Sequence, residues 1–225
     1  MNKCCVVIIS HKEKLEGNDE KSFLRALKIF GKNRHIKVLI PDNINSNYYE
    51  KYKDTVKIIR VKNKWLSSSK EYNAMCCNKE FWNLFDYYEY VLIYQTDCWI
   101  YEDRVDEFIN MGFDWYGAPW PHHNDTVGNG GFSLRKVSKM IEITTKYEFK
   151  WDSLWGAEDT WFCQNHKDEL NICDLNTACN FSIESITKKY FAMAKTYPMG
   201  VHSKCMMKFW DENGDKIKQF KKDIL

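Results

Sequence analysis

The stretch "VLIYQTDCWIY", residues 91–101, runs four apolar or aromatic residues through Gln95 and Thr96 to the lone carboxylate of Asp97, then resumes with Trp99 and Ile100. A short apolar run bounded by polar residues reads as a buried strand. A charge at the end of such a strand costs several kcal/mol unless it is paired, hydrogen-bonded or bound to a metal. The sequence should therefore supply Asp97 with a partner.

Upstream of this strand, "CCVVIIS" (4–10) is followed by a polar turn and "NDEKSFLRALKIFGKN" (18–33). There Asn18 or Asp19 is placed to cap a helix whose Phe23, Leu24, Leu27 and Phe30 share one face and which stops at Gly31. "HIKVLIPD" (35–42) and "VKIIRVKN" (56–63) read as further strands, and "SSSKEYNAMCCNKEFWNLFDYY" (67–88) as a helix capped by its serines. The pattern predicts strands at 6–10, 35–40, 56–61 and 90–94 in one mainly parallel sheet with helices on both faces, a Rossmann-like α/β fold. In such folds ligands bind outside the carboxyl ends of the strands, which is where Asp97 falls.

Composition limits what Asp97 can be doing. The chain of 225 residues has no Pro, Gly or Ser-rich linker and reads as a single domain, 1–225. Within it, a nucleotide-binding half at about 1–110, an acceptor half at about 111–205 and a tail at 206–225 are expected. Thirty-three Lys and Arg against thirty-one Asp and Glu are too balanced for a protein that lives on nucleic acid phosphates. The nine cysteines, two pairs of them adjacent, lack C-x-x-C spacing and read as small buried residues of a reducing cytoplasm. The apolar run at 4–9 is too short for a secretory h-region, and no window approaches the roughly 18 apolar residues of a membrane span.

The second half changes character. "GFDWYGAPWPHHNDTVGNGGFSLRK" (112–136) holds five of the ten glycines. Gly128, Gly130 and Gly131 around Asn129 would let backbone approach a ligand closely, although Asn-Gly is also the strongest short hairpin signal. "GGFSLR" then resumes as a strand, with Arg135 placed to meet a phosphate or an acid on the sheet. Trp115, Trp120, Trp155 and Trp161 fall beside Gly and Asp, a setting that suits flat hydroxyl-rich ligands, with core packing as the alternative. Glu158 and Asp159 follow a Gly and precede a helical pattern, where adjacent acids are ordinary first-turn residues. His122 and His123 are sequence neighbours on a loop and are poorly placed to share one ion.

Seven short segments in order, "EFW" (80–82), "YQTD" (94–97), "YGAPW" (116–120), "VGNGGFSLR" (127–135), "EDTWF" (158–162), "FSIES" (181–185) and "PMGVHS" (198–203), resemble a family of bacterial and viral glycosyltransferase-like proteins known mainly as a domain of unknown function, DUF5672. The resemblance spans residues 6–208, and the order is also similar to the GT-A glycosyltransferase plan. It implies a transferase that moves a sugar from a nucleotide-sugar donor to a glycan or lipid-linked saccharide acceptor. Asp97 and His202 would bind Mn²⁺ or Mg²⁺, which neutralises the departing diphosphate. Gln95 stands where GT-A enzymes usually carry the first acid of D-x-D, and would bind a ribose or water. Ser10, Gln95, Thr96 and Asp97 are then donor-binding residues, and Trp120, Asn129, Gly130, Gly131 and Trp155 acceptor or sugar-binding ones. Asp159 would be the general base of an inverting reaction and Glu158 would orient the acceptor or support the base.

Two other classes stay open on the residues alone: a catalytically inactive nucleotide-sugar or glycan-binding domain, and a metal-dependent nucleotidyl or phosphoryl transferase. The tail "DKIKQFKKDIL" (215–225) is basic with Ile217, Phe220 and Ile224 at helical spacing. It reads either as a helix packed on the domain or as a peripheral contact with an acidic membrane.

Overall fold

The computed structural model describes residues 2–151 and 156–224. Its centre is a six-stranded sheet built from β1 (Asn2–Ile9), β2 (His35–Pro41), β3 (Val56–Val61), β4 (Tyr88–Tyr94), β6 (Trp115–Tyr116) and β9 (Phe132–Lys136), in the order β3-β2-β1-β4-β9-β6. The first four run parallel, while β9 is antiparallel to both its neighbours. Three further pieces matter for the site. β5 (Trp99–Ile100), β10 (Ser182–Ile183) and β11 (Gly200–Val201) form a three-stranded sheet, and β7 (Pro119–Trp120) pairs with β8 (Thr126–Val127).

The four expected strands are all present, and their side-chain alternation explains why they read as continuous apolar runs. On β1, Cys4, Val6 and Ile8 face one core with Phe23, Ala26 and Phe30 of α1 (Gly17–Phe30). Cys5 and Val7 face a second core with Met75 of α3 (Ser69–Cys76), Trp82 of α4 (Lys79–Asn83) and Met140 of α6 (Val137–Lys146). Helices thus cover both faces, so both side-chain sets are apolar. Each fully buried large side chain contributes about 1.5–3 kcal/mol relative to exposure.

Three local expectations differ from the structure. α1 starts after Glu16, two residues before the earlier of the expected caps, Asn18, and has no side-chain cap. The helix expected over 67–88 breaks in two, because Asn78 leaves helical backbone and its Oδ1 accepts the Glu80 N–H at 2.7 Å, starting α4 afresh. The Asn-Gly step is no hairpin. β8 pairs with β7 and β9 with β4 and β6, and none of Gly128, Gly130 and Gly131 has positive φ.

Eight of the nine cysteines are buried and all are free, Cys205 being exposed. The tail forms α10 (Asp215–Ile224). Its apolar side packs on the domain, Phe220 lying 4.9 Å from the Phe191 ring and 5.1 Å from that of Phe209. That face is therefore already covered and does not supply the apolar half of a membrane contact. Among the described residues no helix is long and apolar enough to cross a membrane.

Candidate active site

β1 connects toward β2 on one side, and the chain later returns to place β4 on the other, so the strand order reverses between β1 and β4. A crevice opens at the carboxyl ends of strands at such a reversal. A cleft of about 450 Å³ lies there, lined by Ser10, Lys12, Ser68, Tyr72, Gln95 and Asp97 among others.

Asp97 and His202 meet at one end of this cleft, across 105 positions of sequence (202 − 97), because of strand register. Trp99 of β5 pairs with Val201 of β11 in antiparallel fashion, and Ile183 of β10 pairs with Val201 in parallel. One step further along each strand, Cys98 and Glu184 flank His202. His202 Nε2 lies 3.2 Å from Asp97 Oδ1, and Nδ1 lies 3.3 Å from Glu184 Oε2. The contact with Asp97 lacks hydrogen-bond alignment, which leaves Nε2 buried without a hydrogen-bond partner.

Burial alone would lower the His202 pKa, but the two carboxylates prevail and raise it to about 9. Burial likewise opposes ionisation of Asp97, yet the imidazole beside it holds the carboxylate below its usual range. Among the described residues the one His, Cys, Asp and Glu group able to hold a metal ion is Asp97, Cys98 and His202, with ligand atoms all within 4.8 Å of one another. These donors fit a divalent cation on two counts: an orphaned imidazole nitrogen beside a carboxylate oxygen, and a second carboxylate orienting the other ring nitrogen. Ser203, directly after His202, has φ 87°, a strained value for a non-glycine residue. Its hydroxyl donates to the Glu184 carbonyl at 2.8 Å.

The acidic pair at 158 and 159 divides sharply. Arg135 on β9 is fully buried and holds both Glu158 oxygens, Nη1 to Oε2 at 2.7 Å and Nη2 to Oε1 at 2.8 Å. It also donates to Ser133 Oγ and the Gly130 carbonyl and lies 4.0 Å from the Trp115 ring centroid. Arg135 therefore meets an acid and not a phosphate. Glu158 is 3% exposed with both oxygens held by Arg135, so it does not face an acceptor, a correction forced by this buried bidentate pairing; support of Asp159 is what its position allows.

Asp159, half-buried, accepts the Gly130 N–H on Oδ2 at 3.0 Å and the Thr160 N–H on Oδ1 at 2.8 Å. Burial, followed by the adjacent Glu158 charge, raises its pKa to about 7 against the lowering effect of those N–H groups and Arg135.

Consecutive glycines join the two acidic corners. A Cβ on Gly131 would stand 2.3 Å from Nε2 and Cε1 of His202, and one on Gly130 would stand 2.4 Å from Glu158 Oε1 and 3.0 Å from Asp159 Cβ. Asn129, buried, turns its Oδ1 back to accept the Gly131 N–H at 3.2 Å.

The remaining expected residues are distributed as follows. Ser10 and Thr96 line the cleft; the Ser10 hydroxyl accepts the Lys12 N–H at 3.1 Å. Gln95 donates Nε2 to the Tyr72 hydroxyl at 3.2 Å, while its backbone N–H bonds the Gly131 carbonyl. Trp120 is 5% exposed, and a Cβ on Gly128 would stand 2.3 Å from its ring, so it packs in the core and offers no open face to a sugar. Trp115 and Trp161 are core residues too. Trp155 lies outside the described residues.

Three residues of the site were missed from sequence: Glu184, Tyr72 and Asn73. Asn73 Oδ1 accepts the Glu158 N–H at 2.6 Å, tying α3 to the segment that carries Asp159. The acid in "FSIES" was the available sign of Glu184. Nothing in spacing distinguishes Tyr72 and Asn73 from ordinary helix residues.

The sheet order, with its strand-end cleft, is that of a Rossmann-like α/β fold. The chain belongs to the DUF5672 family, described as a protein of unknown function, whose sequence profile matches residues 55–202. It is similar to the glycosyltransferase GlyE of Streptococcus pneumoniae TIGR4 in its apo form, with TM-score 0.55 and 14% identity over 99% of this chain and 64% of that one. It is also similar to the apo form of mouse xyloside xylosyltransferase 1, with TM-score 0.57 and 10% identity over 90% of this chain and 98% of that one. The chain thus spans less than two thirds of GlyE. At these identities the likeness is one of fold. No curated protein sequence matches the chain.

Proposed function

We propose that the protein is a cation-dependent, inverting glycosyltransferase that moves a sugar from a nucleotide-sugar donor to a glycan or lipid-linked saccharide acceptor in the cytoplasm. The observation that supports this reading is the pairing of two different acidic corners across Gly130 and Gly131. One has an imidazole nitrogen to spare at the donor cleft, and the other has a half-buried carboxylate with a raised pKa.

On this reading Asp97 and His202 hold Mn²⁺ or Mg²⁺, which when bound supplies charge neutralisation to the leaving diphosphate. Glu184 keeps His202 oriented by accepting from Nδ1. Ser10 and Thr96 contact the nucleotide part of the donor, and α3, which starts at the cleft wall, presents a helix N-terminus suited to an anion. Asp159 takes the proton of the acceptor hydroxyl as it attacks the anomeric carbon, with the Gly130 and Thr160 N–H groups fixing its two oxygens. The Arg135–Glu158 pair keeps the rest of that corner neutral, so that Asp159 is the one carboxylate there available to act as base.

A panel of UDP-, GDP-, TDP- and CMP-sugars, assayed with Mn²⁺ for slow hydrolysis without acceptor, tests the proposal. Release of the nucleotide from at least one sugar is expected. A panel with no turnover, combined with tight binding of an intact nucleotide sugar, would instead identify a binding domain.

A further inference from the structure

The cation corner contains a third potential ligand that the acidic residues overshadow. Cys98 is fully buried, follows Asp97 directly, and stands opposite His202 one step beyond the Trp99–Val201 pair. In an antiparallel pair, opposed residues project to the same side of the sheet. Its Sγ is in the group whose ligand atoms lie within 4.8 Å of one another, together with a carboxylate oxygen of Asp97 and a ring nitrogen of His202. The thiol's present contact is weak, a donation to the Gly131 carbonyl at 3.3 Å. Gly131 is also the residue whose missing side chain leaves room for the His202 ring.

Oxygen-only sites suit Mg²⁺, whereas one sulfur and one imidazole nitrogen beside a single carboxylate suit borderline and softer ions. We infer that Cys98 is a third ligand of the cation site, and that the site takes Zn²⁺ or Co²⁺ more tightly than Mg²⁺. The inference rests on the reading of Asp97 and His202 as cation ligands. On binding, the S–H bond breaks, a sulfur–metal bond forms, and the proton passes to the buffer; no oxidant or reductant is involved.

Titration with Co²⁺ tests this without reference to catalysis, using Cys205→Ser protein so that the exposed thiol near Glu184 cannot contribute. The expected result is a near-ultraviolet thiolate-to-cobalt charge-transfer band. Cys98→Ser should remove it and weaken Co²⁺ binding by about tenfold or more. Zn²⁺ should displace the cobalt and equimolar Mg²⁺ should not. Should Cys98→Ser fold poorly, X-ray absorption at the zinc edge of the Zn²⁺-loaded protein without that substitution gives the same answer, a sulfur neighbour at about 2.3 Å. Calorimetric Co²⁺ binding with no charge-transfer band, or a zinc shell of nitrogen and oxygen alone, overturns the role of Cys98 and leaves the Asp97–His202 reading standing. No calorimetric binding of Co²⁺, Zn²⁺ or Mn²⁺ overturns both.

Discussion

Asp97 and Glu158 are both carboxylates drawn into the protein, at opposite sides of the same two glycines, and they are neutralised in opposite ways. Glu158 is closed: both oxygens are taken by a guanidinium that is itself fully buried. Asp97 is open, about a third exposed toward the cleft, and its neighbour His202 has a buried nitrogen without a hydrogen bond. A carboxylate paired bidentately and buried with its guanidinium is shut off from any ligand, whereas a misaligned carboxylate and imidazole beside a cleft have an atom to offer. Asp159, which shares a backbone step with Glu158, differs from it in the same way: its oxygens accept only two backbone N–H groups, and burial pushes its pKa up to about 7.

The largest expected effect is on Asp159. Asp159→Asn preserves shape and should lower sugar transfer by about 10² to 10⁴, with donor affinity little changed. Near-normal turnover in this variant, read by steady-state kinetics, would remove the base assignment; retention of the donor's anomeric configuration in the product would remove the inverting mechanism.

Arg135→Met should act on the fold instead. It leaves Glu158 buried and unpaired, and urea unfolding should register a loss of about 3–5 kcal/mol. Asp97→Asn, in the open corner, should change stability by no more than about 1 kcal/mol. Equal losses in the two variants would erase the distinction between the corners.

The sequence made one corner legible and hid the other. The apolar run at 91–94 ending on Asp97 signals a buried acid in need of a partner, and the four parallel strands follow from similar runs because both sheet faces are covered. The closed corner had no comparable sign. Arg135 sits in an ordinary strand pattern, and Glu158 reads as a first-turn acid; only the fold brings them to 2.7 Å. The short strands β5, β10 and β11, two residues each, are below the length at which alternation can be read, yet their register is what delivers His202 and Glu184 to Asp97. Gly-rich sequence signals close approach but not by what: at Gly131 the neighbour is the His202 ring, and at Gly130 it is Glu158 Oε1 and Asp159 Cβ.

Gly131→Ala sharpens this last point. The added Cβ would meet the His202 ring at 2.3 Å, so the ring must shift. Cation binding by calorimetry should weaken by about tenfold or more, as for displaced ligand-orienting groups. Unchanged affinity would show that His202 is not part of the cation site.

The smallest effect concerns pH. A base with pKa near 7 must be deprotonated to act, so the rate should rise with pH through about 7 and level off above it. Because the Glu158 charge helps to raise that pKa, Glu158→Gln should move the midpoint to lower pH. A midpoint that moves upward, or stays fixed, contradicts the coupling.

The most direct test of the account crosses the two corners in one calorimetric and kinetic comparison. Binding of the nucleoside diphosphate of the identified donor is measured with and without Mn²⁺, beside turnover, in Asp97→Asn and Asp159→Asn proteins. The account predicts that Asp97→Asn abolishes the Mn²⁺-dependent part of binding, while Asp159→Asn keeps it and loses turnover. Mn²⁺-dependent binding that survives Asp97→Asn and disappears in Asp159→Asn would contradict it.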